Sequence, residues 1–195
     1  MSLKIGIAGP VGSGKTSLIE SLTNLLKDKY SLAIVTNDIY TTEDANYLKR
    51  TLDLDENRIT GVETGGCPHT AIRDDISMNQ KAVVELEKKF NPDITFVESG
   101  GDNLSATFSY ELIDYYMYVI DVAQGADIPR KKGAGLLFSD LLVVNKTDLS
   151  PYVGVDLVSM KSDVETNRKN KPSVFISNKD EESLRQVISW IEALL

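Results

Sequence analysis

The stretch GPVGSGKT occupies residues 9 to 16 and matches the pattern G-x-x-x-x-G-K-[ST] at every fixed position. An apolar run, Lys4–Ala8, precedes it, and a segment with helical spacing, Ser17–Leu26, follows it. A glycine-rich turn between a strand and a helix binds phosphate well, because backbone N–H groups at the helix start point toward the anion. The stretch therefore predicts a phosphate-binding loop and an α/β fold in which a buried strand leads into a helix.

Individual residues of this loop have separate chemical roles. The glycines allow backbone torsions and a close approach that a side chain would block. Lys15 can reach the β- and γ-phosphates of a nucleotide, which makes it a candidate catalytic residue, and the Thr16 hydroxyl can ligate Mg²⁺. The competing interpretation is an ordinary glycine-rich turn before a helix. The candidate phosphate-binding residues are Gly12, Ser13, Gly14, Lys15, Thr16 and Ser17.

Short β-rich runs alternate with helical patterns along the whole chain. Continuous apolar runs such as ITFV (94–97) and LLVV (141–144) are typical of parallel strands covered on both faces. We therefore expect a single P-loop NTPase domain over residues 1–195, a doubly wound, mostly parallel sheet of about seven strands with helices on both faces. The predicted strands are Lys4–Ala8, Leu32–Thr36, Arg58–Val62, Asp93–Val97, Tyr116–Val122, Asp140–Asn145 and Ser173–Ser177.

Three segments between and after the strands carry further predictions. Apolar residues at helical spacing predict one helix over Thr70–Phe90 and another over Glu181–Leu195. The segment SPYVGVD (150–156) is expected to be a loop within the domain.

Composition limits the class of protein. Lys and Arg number 21 against 29 Asp and Glu, a net charge of −8, so phosphate-rich nucleic acids and anionic membranes would be repelled. The single cysteine cannot form an internal disulfide, and no apolar run reaches the length of a signal segment or a membrane span. We expect a cytoplasmic protein that binds neither nucleic acid nor membrane.

Three acidic residues stand at the ends of predicted strands. Asp38 ends the second strand, Glu63 the third and Glu98 the fourth, so all three should lie on the same rim as the phosphate loop. Mg²⁺ prefers oxygen ligands, which makes these carboxylates candidate ligands, although each alone is also an ordinary solvated acid. Asp38 is a second candidate catalytic residue. In ESGG (98–101), the amide of Gly101 is placed to donate to a γ-phosphate.

The sequence VVNKTD (143–148) follows a buried strand and carries the pattern N-K-x-D. The Asp148 carboxylate can accept hydrogen bonds from guanine N1–H and the exocyclic amine, whereas adenine lacks that pair of donors. Lys146 can lay its aliphatic stem over the base, and Asn145 can brace the loop. Together with the phosphate loop, this motif predicts a GTP site.

The sequence GGCPHTA (65–71) contains the only cysteine and the only histidine of the chain. Cys67 and His69 are i and i+2 of a segment expected to be extended, so both side chains can meet one ion, and Pro68 restricts the torsions of the pair. Two ligands do not close a site, but a symmetric dimer would bring four together, a set that serves Zn²⁺ or Ni²⁺. The alternative is an inert cysteine at a helix start.

From its first strand to about Val158 the chain contains the motifs GPVGSGKT, VTNDIYTTEDA, GVETGGCPHTAIRDD, ESGGDNL and NKTDL. With these motifs it resembles the urease accessory G-proteins, a family of nickel-delivery GTPases. The resemblance implies slow GTP hydrolysis, dimerisation with GTP, and one Ni²⁺ shared by Cys67 and His69 of two protomers.

The resemblance also implies Mg²⁺ at Thr16 with Asp38 nearby, and assembly with the other urease accessory proteins and the urease apoprotein. The last base-contacting loop, usually FTN in this family, reads FISN here, so either Ser177 or Asn178 fills that role.

Other functions remain open at this point. A hydrogenase-type nickel-insertion GTPase shares the architecture but generally uses a different cysteine-rich motif. A small-molecule kinase would need a lid and an acceptor pocket and has no use for N-K-x-D. A non-catalytic, metal-responsive scaffold that binds GTP is compatible with the sequence, because no side chain is assigned to orient the attacking water.

Overall fold

The computed structural model describes residues 2–38, 41–65, 68–101, 104–169 and 171–195, and gives only the backbone of residues 68 and 69. Seven strands form one sheet in the order β3-β2-β4-β1-β5-β6-β7, and every neighbouring pair is parallel. The expected doubly wound α/β fold is confirmed, with the sheet entirely parallel. The strands are β1 Leu3–Ala8, β2 Leu32–Asp38, β3 Ile59–Glu63, β4 Ile94–Glu98, β5 Tyr115–Asp121, β6 Leu141–Asn145 and β7 Ser173–Phe175.

Helices cover both faces of the sheet because successive residues of the continuous apolar strands point to opposite faces, and both sets are buried. Helices α1, α2 and α8 pack on one face, over Ile5 and Ile7 of β1. Helices α4, α5 and α7 pack on the other face, over Val35 and Val97. The helices are α1 Lys15–Leu26, α2 Glu43–Thr51, α3 Pro68–Arg73, α4 Ser77–Phe90, α5 Ala134–Phe138, α6 Ser150–Val153, α7 Leu157–Arg168 and α8 Glu181–Glu192.

The helix predicted over Thr70–Phe90 is two helices, α3 and α4. The carbonyl of Ile72, which a continuous helix would bond to residue 76, accepts instead from the amide of Ser109 at 2.8 Å. The carbonyl of Ala71 accepts from Asn79 Nδ2 at 3.0 Å, and the Asp75 carboxylate accepts from the amide of Ser77. Other partners thus take the carbonyls of Ala71 and Ile72, which a continuous helix would bond to the amides of residues 75 and 76, and periodicity alone did not reveal this.

The expectation of a loop over 150–156 is wrong for its first four residues, which form α6. Pro151 lies in the first turn, where its missing N–H costs nothing. Gly154 then adopts a φ of 67° and ends the helix in the left-handed conformation.

A buried arginine ties three elements together on the α7 side of the sheet. Arg168 is 3 % exposed, and its two terminal nitrogens donate to the carbonyls of Leu136, Ser139 and Pro172 and to the Ser139 hydroxyl. These carbonyls lie where α5 ends and where the chain enters β7. One guanidinium therefore supplies hydrogen-bond donors to the backbone carbonyls of both segments.

The last helix is anchored near the amino end of β5. Trp190 of α8 meets Tyr115 edge to face, with ring centroids 6.2 Å apart and planes at 86°. Across the described residues, no helix is both long and apolar enough to cross a bilayer.

Candidate nucleotide site

The phosphate loop joins the central strand β1 to α1, at the carboxyl edge of the sheet. Gly12 and Gly14 have φ values of 78° and 91°, in the left-handed region that residues with a side chain rarely adopt. Gly9 is required for space as well, since a Cβ there would lie 2.1 Å from the carbonyl oxygen of Val119 on β5. The loop therefore keeps its backbone close to the neighbouring strand and leaves the start of α1 open to an anion.

Lys15 begins α1 and is 8 % exposed. Its ammonium donates to the carbonyls of Gly9 at 3.0 Å and Pro10 at 3.3 Å, both in the loop itself. A cleft of ≈ 460 Å³ lies over this group. The cleft is lined by Val11, Gly12, Gly14, Lys15, Thr16, Ser17, Asp38, Asp44, Gly100, Gly101 and Lys146.

The second residue of α1 reaches an acid on the adjacent strand β4. Thr16 Oγ1 donates to Glu98 Oε1 at 2.7 Å. Glu98 is 1 % exposed, and its Oε2 has no hydrogen-bond partner among the described residues. Burial raises the pKa of the Glu98 carboxyl to about 7, and the charge of Lys15 works against that rise. A buried carboxylate oxygen without a partner, beside a hydroxyl, fits a hard divalent cation such as Mg²⁺.

The other two candidate carboxylates lie in different places. Asp38 ends β2, lines the phosphate cleft, and accepts from Thr41 Oγ1 at 2.6 Å. Glu63 pairs in register with Asp38 but is exposed on the edge strand, and it lines a separate groove with Met78 and Lys81. The structure therefore brings Thr16, Asp38 and Glu98 together at the phosphate cleft and places Glu63 outside it.

Gly101 follows β4 and packs directly on the phosphate loop. A Cβ at Gly101 would lie 2.1 Å from Cγ2 of Val11 and 3.1 Å from its backbone nitrogen, so a larger residue would require Val11 to move. The ESGG segment thus contacts the loop at the mouth of the phosphate cleft, and the contact of Gly101 with a γ-phosphate stays a prediction.

A second cleft of ≈ 440 Å³ adjoins the first and shares Gly14, Ser17 and Lys146 with it. Asn145 Nδ2 donates to the Ser13 carbonyl at 3.1 Å, which ties the end of β6 to the phosphate loop. Lys146 Nζ donates to the Gly12 carbonyl, so its stem lies along the boundary of the two clefts. A nucleotide with its phosphates in one cleft can place its base in the other.

Asp148 lies at the far side of the second cleft. Its Oδ1 accepts from Ser177 Oγ at 2.8 Å, and Oδ2 lies 3.6 Å from Lys179 Nζ. The hydrogen bond from Ser177 lowers the pKa of Asp148, so this carboxyl is ionised at neutral pH. Asn178 Nδ2 donates to the Gly14 carbonyl at 3.3 Å. Ser177 and Asn178 both line the cleft, so the choice between them as the base contact stays open.

The candidate nickel ligands fall largely outside the described residues. Cys67 is not described, and of His69 only the backbone is, within α3. That backbone is helical from Pro68 onward, so the expectation of an extended segment is wrong for residues 68 and 69. The carboxyl half of α3 is held by Asn79 and Ser109, which fixes the position of the helix that begins at Pro68.

Three residues that line the clefts or contact a lining residue were not predicted from the sequence. Asp121, which ends β5, could have been found by the strand-end argument that identified Asp38. Asp44 lines the phosphate cleft from α2, and Lys179 pairs with Asp148. Neither of these two follows a motif, because each reaches its cleft through the packing of a surface helix or loop.

The chain has clear relatives among known proteins. Residues 3–175 match the family described as CobW/HypB/UreG, nucleotide-binding domain. A urease accessory protein UreG from Aliarcobacter butzleri is 87 % identical over 195 residues, covering 100 % of both chains. Another, from Corynebacterium urealyticum, is 60 % identical over 190 residues, covering 97 % of this chain and 93 % of the relative.

Solved structures share the fold at lower identity. HypB from Helicobacter pylori, in a complex with nickel, superposes with a TM-score of 0.81 at 22 % sequence identity. The match covers 98 % of this chain and 86 % of the HypB chain. The hydrogenase maturation factor HypB from Archaeoglobus fulgidus superposes with a TM-score of 0.76 at 22 % sequence identity. That match covers 99 % of this chain and 90 % of the HypB chain. These likenesses establish the architecture.

Proposed function

The chain belongs to the CobW/HypB/UreG nucleotide-binding family, on the branch of the urease accessory proteins UreG, and we propose that it is a GTP-hydrolysing metallochaperone for urease. It delivers Ni²⁺ for maturation of the urease active site. The observation that carries this proposal is the 87 % identity, over the full length of both chains, with a protein named as a urease accessory protein. Two adjoining clefts with the residues for a guanine nucleotide support it independently.

Guanine recognition rests on Asp148 in the second cleft. Its ionised carboxylate accepts from the two guanine donors, while the Lys146 stem covers the face of the base. Adenine would leave the carboxylate facing a ring nitrogen, so ATP binds much more weakly. Ser177 holds the carboxylate in place, and Asn178 fixes this loop against Gly14.

Phosphate binding and hydrolysis rest on the first cleft. The amides at the start of α1 receive the phosphate oxygens, and Lys15 exchanges its loop carbonyls for the β- and γ-phosphates. Asp38, exposed to the same cleft, orients the attacking water. Thr16, Asp38 and Glu98 would hold Mg²⁺, which when bound neutralises charge on the phosphate oxygens.

Nickel is the cargo of this protein. Cys67 and His69 of one protomer supply two ligands, and those of a second protomer complete a four-ligand site across a homodimer formed with GTP. Zn²⁺ is the competing ion for such a set. Hydrolysis of GTP separates the Cys67–His69 pair of one protomer from that of the other and so releases the ion. The other urease accessory proteins and the urease apoprotein receive it in the cytoplasm.

Oligomeric mass and metal content, measured together, test this proposal. With a non-hydrolysable GTP analogue and Ni²⁺, light scattering should give the mass of a dimer, and metal analysis should give about one Ni²⁺ per two chains. With GDP, light scattering should give the mass of a monomer. Cys67→Ala and His69→Ala should each abolish the nickel-dependent dimer while GTP binding persists. Thr70→Ala, an exposed neighbour on α3, is the matched control and should dimerise as the parent does.

Two outcomes contradict the proposal. One Ni²⁺ held tightly per monomer, or an undiminished dimer in both variants, means that the pair is not a shared site. Release of less than one phosphate per chain over a long incubation with GTP, with and without Ni²⁺, would favour the non-catalytic scaffold over a GTPase.

A further inference from the structure

We infer that Asp121, a residue at the end of β5, positions Lys146 for nucleotide binding and thereby slows nucleotide release. This inference rests on the proposed guanine-nucleotide site and adds to it a residue that no motif identifies. Asp121 touches neither cleft, and among the described residues it acts through Lys146 alone on the nucleotide.

The contacts of Asp121 divide between its two carboxylate oxygens. Oδ1 accepts from the amide of Ala123 at 2.8 Å and caps the short turn after β5. Oδ2 lies 3.4 Å from Lys146 Nζ, which also donates to the Gly12 carbonyl. The ammonium is therefore held between the end of β5 and the phosphate loop.

Burial makes this contact more than a surface ion pair. Asp121 is 1 % exposed, and a buried carboxylate is tolerated only where a positive charge or several donors satisfy it. Of the described residues, Lys146 is the cation paired with Asp121, so separating the two groups would leave an uncompensated charge in the protein interior. Lys146 therefore stays in this position rather than moving freely at the surface.

The backbone of Lys146 also needs such an anchor. Its φ of 58° and ψ of 34° lie in the left-handed region, which is unfavourable for a residue other than glycine. Asn145 Oδ1 accepts from the Lys146 amide at 2.7 Å and supports the backbone, while Asp121, paired with Asn145 in register, fixes the far end of the side chain. The stem between these two points borders both clefts.

Release of fluorescent mant-GDP in the presence of Mg²⁺ tests the inference. GDP is chosen because its binding does not require the γ-phosphate or the dimer. In Asp121→Asn, which keeps the shape and an acceptor for Ala123 but loses the charge, the dissociation rate should rise about tenfold, with the association rate changed less than twofold. Asp121→Ser, which also retains an acceptor for the turn, should behave the same way and guards against a folding defect in one variant.

The Lys146→Met background separates positioning from a purely structural role. If Asp121 acts through Lys146, adding Asp121→Asn to Lys146→Met should raise the dissociation rate less than twofold further. A tenfold rise in both backgrounds would mean that Asp121 acts through the turn, and would overturn the inference.

Asp114→Asn is the matched control, because Asp114 directly precedes β5, the strand that Asp121 ends. Asp114 likewise accepts from a backbone amide and pairs with a lysine, in both cases Lys4, at the amino edge of the sheet. This variant should release mant-GDP at the parental rate. A parent chain that does not bind mant-GDP overturns the proposed function and the inference with it. A parent that binds, with an Asp121→Asn variant that releases equally slowly, overturns only the inference.

Discussion

Thr16 Oγ1 and Glu98 Oε1 are joined by a hydrogen bond of 2.7 Å, although the two residues are 82 positions apart in the chain. The bond connects the start of α1, the helix that follows β1, to the end of β4, the strand next to β1 in the sheet. It gathers a hydroxyl and a buried carboxylate at the position where a phosphate-bound cation would lie. The first prediction concerns this pair.

Glu98→Gln should separate metal binding from folding. The amide keeps an acceptor for Thr16 but removes a buried charge, so without Mg²⁺ and nucleotide the variant should be more stable than the parent by about 1 kcal/mol. The tightening of GTP binding by Mg²⁺ should fall about tenfold, or ~1.4 kcal/mol. Thermal unfolding in EDTA and titration of mant-GTP with and without Mg²⁺ measure the two effects.

Glu63→Gln is the control for that variant, because Glu63 also ends a strand but is exposed outside the phosphate cleft. It should keep the parental response to Mg²⁺. If Glu63→Gln lost the Mg²⁺ effect and Glu98→Gln kept it, the assignment of the cation site would be reversed.

Lys15→Ala should remove phosphate release while the sheet still folds. The ammonium is the positive charge closest to the predicted phosphate position, and loss of one such electrostatic contact reduces turnover by about 100-fold or more. Multiple-turnover phosphate release measures the effect. Lys27→Ala, beyond the other end of α1, should release phosphate as the parent does; release at the parental rate by Lys15→Ala would place the reacting phosphate elsewhere.

Asp148→Asn should change the preferred base. The amide presents a donor where guanine also donates, so GTP affinity should fall by about 100-fold and xanthosine triphosphate affinity should rise. Competition against mant-GDP measures both. Glu20→Gln removes a half-buried carboxylate that lines the same cleft and keeps an acceptor for Tyr47, so it should leave both affinities unchanged. Equal binding of ATP and GTP by the parent would contradict the guanine assignment.

Arg168→Met should destabilise the protein without changing the clefts. It leaves three carbonyls and a hydroxyl without their buried donor, at a cost of about 3 kcal/mol in the free energy of unfolding. For a chain of this length that lowers Tm by roughly 6–12 °C. Arg185→Met, at an exposed pair with Glu181, should change stability by less than about 0.5 kcal/mol. Equal melting of the two variants would show that the buried bonds contribute little.

The strands were predictable because buried parallel strands are continuous apolar runs, and each of the seven lies within two residues of its predicted bounds. The break after Arg73 was not predictable, because it depends on bonds from Asn79 of α4 and from Ser109, 37 residues further along the chain than Ile72, to the backbone of α3. A helical period cannot show where a carbonyl finds a tertiary partner.

The residues of the candidate site likewise divide into those that local motifs predicted and those that depend on tertiary packing. Motifs with fixed spacing identified Lys15, Thr16, Asn145 and Asp148, since chain-local geometry decides their placement. Asp44 and Lys179 reach the clefts through helix and loop packing, which no local pattern encodes. Glu63 satisfied the strand-end argument, yet its place on the edge strand puts it in another groove.

The edge-to-face contact of Trp190 with Tyr115 has a spectroscopic consequence. Trp190 is the only tryptophan of the chain, and its partner begins the strand that Asp121 ends, roughly 20 Å away along β5. Measured without mant-labelled nucleotide, whose mant group would accept energy from tryptophan, intrinsic fluorescence therefore reports whether α8 is docked on the sheet. Each variant described above thus carries an internal gauge of folding: unchanged emission with altered nucleotide binding locates the defect in the site itself.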